Sequence, residues 1–365
     1  MHKTAAWPLA LLYAALILFA SWFPFEGWRV QGVSPWAFLF DRVPPPYWTW
    51  FDVVSNLLGY APLGFLLALA WLRSGSGRHA VPVATALGAL LSLSAEFGQI
   101  YLPQRVPSNL DWLLNTAGAG IGALLAALLE RLGALARWSR FRQQWFVPHA
   151  RGALVLLALW PWALLFPAAL PLGLGQVVQR LEAALTQLLQ DTPFLAWMPV
   201  RHAPLQPLAP AGEMLAVALG MLLPCLLLYS VVRSPWRRAV LALSAAVLGF
   251  FCMTLSTVLS YGPAHALQWL STASRAGLLL GVLAALAMAG LRRRLCTALL
   301  LVALLWHLAL LNQAPTSAYF SQTLQAWEQG RFIRFYGLGQ WLGWLWPYGV
   351  LVYAVARLSR REAQS

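Results

Sequence analysis

Ser92 to Gly122 reads SLSAEFGQIYLPQRVPSNLDWLLNTAGAGIG. One apolar stretch enters it and another leaves, and Glu96, Gln99, Arg105, Asn109, Asp111 and Asn115 gather between them in a chain that otherwise avoids charge. The pattern is that of two apolar helices joined by a short polar turn, with the prolines of LPQRVPSN punctuating the connection.

The surroundings say which solvent the hairpin meets. The chain is 60% hydrophobic and 10% charged, against about 45–50% and about 25% for a soluble domain, so it carries more apolar surface than a water-facing globule can hide. Apolar runs long enough for a hydrocarbon core of about 30 Å recur from end to end. They are Trp7 to Phe23, Val53 to Leu72, Val81 to Leu102, Leu110 to Leu129, Ala153 to Leu172, Met214 to Val232, Val240 to Leu259, Leu267 to Gly290, Leu295 to Leu311 and Trp341 to Ala356. The expected fold is an all-α, polytopic transmembrane bundle of about ten helices. The first run, with Lys3 before it, ends on the bulky Trp22-Phe23-Pro24 without a small-x-small cleavage site, and reads as a retained helix.

Arginine sets the expected orientation. Alternate connections carry Arg73 and Arg78; Arg131, Arg137, Arg140, Arg142 and Arg151; Arg233, Arg237 and Arg238; Arg292, Arg293 and Arg294; and Arg357, Arg360 and Arg361. By the positive-inside rule these loops and both termini are cytoplasmic. The net charge of +14 is then mainly a topology signal with some attraction to anionic lipid, and no nucleic-acid partner is expected. Cys225, Cys252 and Cys296, an odd number without CxxC spacing, read as small buried hydrophobes, so neither a disulfide nor a metal site is implied.

On this topology the polar residues fall toward the outer leaflet. Glu96 lies about 9 Å below the end of its run at ~1.5 Å per residue, with Gln99 one turn above it. Asp52 and Asn56 share an i, i+4 spacing at the start of the second run, and Asp111 and Asn115 repeat it at the start of the fourth. Asp52 and Asp111 suit helix N-caps and the two asparagines suit interhelical glue. Glu96 is harder to absorb structurally, because an acid inside a span costs about 2.5–3.5 kcal/mol near the membrane centre. Arg105 is its expected partner. Asp52, Asn56, Glu96, Gln99, Arg105, Asp111 and Asn115 together form a candidate polar pocket with room for a cationic or hydrogen-bonding ligand, and Glu96 is the best candidate for proton acceptor or ligand anchor. In the same region Pro62 removes a backbone bond, and Gly118 and Gly122 form a GxxxG packing face.

The segments DVVSNLLGYAPLGF, SAEFGQIYLPQR and NLDWLLNTAGAGIGALL, in this order, resemble the VanZ-like family of bacterial membrane proteins. The likeness covers Phe51 to Leu128, with the first helix and its loop as its expected extension. It implies a multi-pass inner-membrane protein of the cell envelope, in a family named for a member that raises resistance to the glycopeptide antibiotic teicoplanin. It supplies no mechanism.

Residues 1–135 therefore read as a VanZ-like domain of four helices, and 150–365 as a second transmembrane domain of about six. The second resembles a faded copy of the first, Gly220 matching Gly59, Pro263 matching Pro103 and Gln268 matching Asp111, with Ser256 where Glu96 stands. Three outer connections stand out. Phe25 to Trp50 carries Trp28, Trp36, Trp48 and Trp50 beside Pro44-Pro45-Pro46, a headgroup-layer loop. Gln176 to Gln190 aligns Val177, Val178, Leu181, Leu185 and Leu188 on one helical stripe, and Ala318 to Tyr336 is similar. Arg275 and His307, within spans of the second half, are minor candidates.

HExxH, Walker and GxSxG signatures are missing from the sequence, so neither cofactor nor nucleotide is expected. The acid-and-amide set suits binding and proton acceptance alike, which leaves catalysis open. Three functions fit: a site that binds or helps process a membrane lipid, a lipid-linked precursor or a surface envelope component; a transporter or flippase of such a precursor; and a non-catalytic assembly protein.

Overall fold

The computed structural model describes residues 6–23, 25–32, 34, 36–40, 42–43, 48–75, 77–166, 168–197, 205–315 and 333–359. Among them are twelve α-helices and no strand beyond a single bridge between Phe146 and Val232. The chain folds as two compact units, Met1–Arg140 and Phe141–Ser365.

The first unit holds α1 (Ala6–Trp22), α2 (Trp50–Arg73), α3 (Ala80–Gln99) and α4 (Asn109–Arg131). Thr49 starts α2 with a capping box, accepting from the Asp52 N–H while the Asp52 carboxylate accepts from the Thr49 N–H. Pro62 lies inside α2, which continues through it, and the neighbouring Gly59 carbonyl accepts from the Tyr13 hydroxyl of α1 at 3.0 Å. Glycine sets the closest approach. A Cβ at Gly122 would fall on the Ala61 carbonyl and one at Gly118 on the Leu57 carbonyl, while Gly64 of α2 meets the backbone of Ala119. The GxxxG face of α4 thus lies directly on the α2 main chain, where only glycine fits.

From the first unit the chain runs through α5 (Ala134–Trp145) into α6 (Arg151–Leu165), α7 (Val178–Leu189), α8 (Pro210–Tyr229), α9 (Pro235–Tyr261), α10 (Thr272–Met288), α11 (Arg293–Gln313) and α12 (Ile333–Ser359). In the second unit α8 is the central helix: 72% of its spanning window is buried, against 22% for α9. Glycine again permits the contact, since Gly277 and Gly281 of α10 sit over the carbonyls of Met214 and Ala218 in α8. His307 is buried against α8 with Nδ1 3.1 Å from the Ala216 carbonyl, and Arg275 donates to the Leu270 carbonyl at 3.1 Å. Both have structural employment.

Each of the ten apolar runs holds a helix. Six of them, α2, α3, α4, α8, α9 and α11, are long and apolar enough to cross a membrane, while α1, α6 and α10 are apolar but shorter. Two runs are shortened for local reasons, one at its end and one at its start. The run from Ala153 leaves the helix at Phe166, which is extended (φ −73°, ψ 128°) because it precedes Pro167 and the ring disfavours helical geometry there. The run from Leu267 enters its helix only at Thr272, where the Ser271 hydroxyl accepts from the Ser274 N–H. The Arg-rich connection after α4 contains α5, a helix the apolar pattern does not signal.

The amphipathic stripe of α7 is left uncovered, with Leu181, Leu185 and Leu188 all exposed. Trp28, Trp36, Trp48 and Trp50 are exposed as well. Pro44 to Pro46, and Ala318 to Phe332 with the side chains of the residues following through Leu338, lie outside the described residues.

Candidate functional site

The polar residues meet at one end of the first unit, where α1 ends, α2 begins, α3 ends and α4 begins. Ser92, Glu96 and Gln99 follow one face of α3 and are 0%, 3% and 4% exposed, a spacing that stacks them turn on turn. The Glu96 Oε2 accepts from the Ser108 N–H at 2.9 Å, so an α3 acid satisfies the backbone just before α4. The Ser108 hydroxyl in turn accepts from the Asp111 N–H at 3.3 Å. One turn into α4, Asn115 Nδ2 donates to the Ser92 hydroxyl at 2.9 Å. The indole of Trp112 donates to the Ala89 carbonyl at 3.1 Å and completes the α3–α4 seam.

The same end is clamped to α1. Arg105 Nη2 donates to the Phe23 carbonyl at 2.7 Å and Gln99 Nε2 to the Ser21 carbonyl at 3.4 Å. The Trp22 indole donates to the Ala95 carbonyl at 3.1 Å, over Gly98, where a Cβ would strike the ring. Two further bonds, Gln31 Nε2 to the Ile100 carbonyl at 2.7 Å and the Arg29 N–H to the Tyr101 carbonyl at 2.9 Å, fold the loop after α1 over the turn.

From α2 come Asn56 and, one turn on, Tyr60. The Tyr60 ring is buried beside Leu63 and Ala119, and its hydroxyl lies near Ser92, within electrostatic reach of Glu96 and Asp111. Asn56 Nδ2 and Asn115 Oδ1 are buried and make no hydrogen bond. Each such orphan costs about 1–3 kcal/mol, so the pair on the facing helices α2 and α4 leaves an unused donor and an unused acceptor where the fold alone supplies nothing to meet them.

A family model described as VanZ/LLP1 matches residues 7–130, the span of α1 to α4. The first unit carries a VanZ-like domain. No curated protein and no solved structure matches the chain.

Within the VanZ-like domain, α3 and α4 are bonded twice, Glu96 through Ser108 to the Asp111 backbone and Ser92 to Asn115, and the amide nitrogen of Asn56 on α2 is buried and unbonded. Asp52 serves the start of α2, its Oδ2 accepting from the Thr49 hydroxyl at 2.7 Å. Gln99 and Arg105 hold α1. Two members escaped sequence reasoning. Tyr60 stands one turn after Asn56 and Ser92 one turn before Glu96, so the i, i+4 rule that paired the acids and amides would have found both. Chemically, the set offers a carboxylate, a phenol and two amides in a poorly hydrated setting, suited to hydrogen-bonding a neutral or cationic polar group.

Proposed function

We propose that the VanZ-like domain holds the polar part of an envelope component, either lipid-linked or at the surface, in the cluster of Asn56, Tyr60, Glu96 and Asn115, and that this end of the bundle faces outward from the bacterial inner membrane. The observation that carries the reading is the unmet hydrogen-bonding capacity of Asn56 and Asn115, with Tyr60 within electrostatic reach of the buried Glu96. Glu96 is the anchor, or the proton acceptor if the component is altered there, and Arg105 and Gln99 position the turn above it.

Tyr60→Phe is the discriminating change. Removing a hydroxyl whose neighbour, Ser92, is already bonded by Asn115 costs about 1 kcal/mol at most, so an assembly role predicts a nearly unaltered protein. In a deletion strain complemented with each variant, we expect Tyr60→Phe and Glu96→Gln to accumulate normally. We expect them to lose about tenfold or more of the gene's effect on teicoplanin susceptibility and on lipid-linked precursor levels, measured by mass spectrometry of membrane extracts. Full effect at normal abundance in both would leave only the assembly role. The recurrence of glycine-on-carbonyl packing in the second unit favours, as a second reading, a two-part carrier for the same component; movement of a labelled precursor across proteoliposomes separates it from binding alone.

Orientation has its own test. Cys225, Cys252 and Cys296 are buried, so a new cysteine is the dominant target for a membrane-impermeant maleimide. One at the exposed Ser34 should label in intact spheroplasts, and one at the exposed Arg140 only after lysis. The reverse result would put the polar cluster at the cytoplasmic face.

A further inference from the structure

The second unit contains a cleft of about 530 Å³ whose lining residues are Arg233, Arg238, Arg292, Arg293 and Arg294. Its size is that of small-molecule sites. Two connections build it: the one from α8 to α9 brings Arg233 and, in the first turn of α9, Arg238, and the one from α10 to α11 brings the three consecutive arginines. Two guanidiniums are fixed by backbone carbonyls. Arg238, only 4% exposed, donates to Val232 at 3.1 Å and to Ala289 at 3.1 Å, and Arg233 donates to Phe146 at 3.0 Å. Carbonyls orient these groups and leave their charge in place.

Five guanidiniums from two connections thus line one cleft, which concentrates positive charge there beyond what either loop carries alone. Arg238 and Arg293 lie within electrostatic reach of each other, an arrangement that like charges oppose and an anion between them reverses. The two helix starts add to the field. Ser234 and Arg292 occupy the N-cap positions of α9 and α11 and neither side chain caps its helix, so the positive ends of two helices lie at the connections that supply the arginines. Guanidinium forks match phosphate oxygens in pairs, which singles out phosphate among anions.

We propose that this cleft binds a phosphate-bearing anion, either the headgroup of an anionic lipid or a soluble phosphoryl compound. The inference concerns the second unit and stands independently of the reading of the VanZ-like domain. It is tested on the full chain in detergent micelles by titration with phosphatidylglycerol, with phosphatidylcholine and with inorganic pyrophosphate. We expect phosphatidylglycerol or pyrophosphate to bind in preference to phosphatidylcholine, and Arg293→Gln to weaken that binding about tenfold. The double variant Arg137→Gln/Arg140→Gln, which removes more charge from α5, should leave it within about twofold. If Arg293→Gln does not fold, Arg292→Gln, at an exposed position on the same cleft, is read in the same way. Binding of phosphatidylglycerol that pyrophosphate does not displace identifies a lipid site, and displacement by pyrophosphate identifies a soluble ligand. Binding no tighter than that of phosphatidylcholine, or an equal loss in the α5 variant, overturns the proposal.

Discussion

Gly122→Leu is expected to remove the VanZ-like domain from the membrane fraction. The new side chain would start on the Ala61 carbonyl of α2, and the obstacle is main chain, which no rotamer change can move aside. Overpacking a core typically costs about 1–3 kcal/mol when side chains can yield; here α2 and α4 must part along their length, and Gly118 over Leu57 and Gly64 over Ala119 lose their contacts together. Interfaces between membrane helices have little hydrophobic force to fall back on, since lipid is as apolar as leucine, so the lost van der Waals contact is not recovered elsewhere. Gly59→Ala is the internal control. A Cβ there meets nothing within 4 Å, and alanine improves helix propensity by up to about 1 kcal/mol. Quantifying both variants by fluorescence-detected size exclusion should give a monodisperse peak for Gly59→Ala and little or none for Gly122→Leu. Equal peaks would mean that α2 and α4 do not touch at this glycine.

Arg238→Met should be the most damaging single change in the second unit. The arginine bonds to the carbonyls of Val232, Ala289 and Leu291, and so ties the end of α8 and the turn before α11 to the start of α9. Methionine keeps the apolar stem and removes every one of these bonds. Buried carbonyls left without a donor cost about 1–3 kcal/mol each, and water reaching the helix ends offsets part of that. Lysine carries one ammonium where arginine has a fork, and so recovers only some of the loss. Thermal unfolding can be followed with a thiol-reactive dye, because Cys225, Cys252 and Cys296 are buried. The expected midpoint order is arginine, then lysine, then methionine, with methionine lower by roughly the 4–8 °C that about 1 kcal/mol represents in a small domain, or more. An unchanged midpoint for Arg238→Met would show that water replaces the guanidinium without cost.

The helices were legible because a strongly apolar chain announces each of them by composition alone, and the runs at Val53, Leu110 and Leu295 fall on α2, α4 and α11 with small errors at the ends. Legibility failed where geometry is local. Phe166 and Ser271 set helix limits through a following proline and a cap hydroxyl, signals a hydropathy window averages away. The candidate site was half visible. Glu96, Asn115 and Asn56 stood out as polar residues in oil, but Tyr60 and Ser92 are amphipathic or small and vanish into an apolar count. Asp52, which the sequence offers both as a cap and as a site residue, is bound into the Thr49 capping box.

The burial of α8 on every side has a bearing on how the second unit is made. A chain emerges at about 5–20 residues per second, so α8 enters the bilayer several seconds before α11 exists to cover it. In that interval its surroundings are acyl chains, and it is content with them, being among the most apolar helices in the protein. Assembly is therefore an exchange of one oily neighbour for another, with no large gain in solvation to drive it. The final step depends on how well the later helices fit, and faults in α10 or α11 should leave α8 inserted, full length and stranded in lipid.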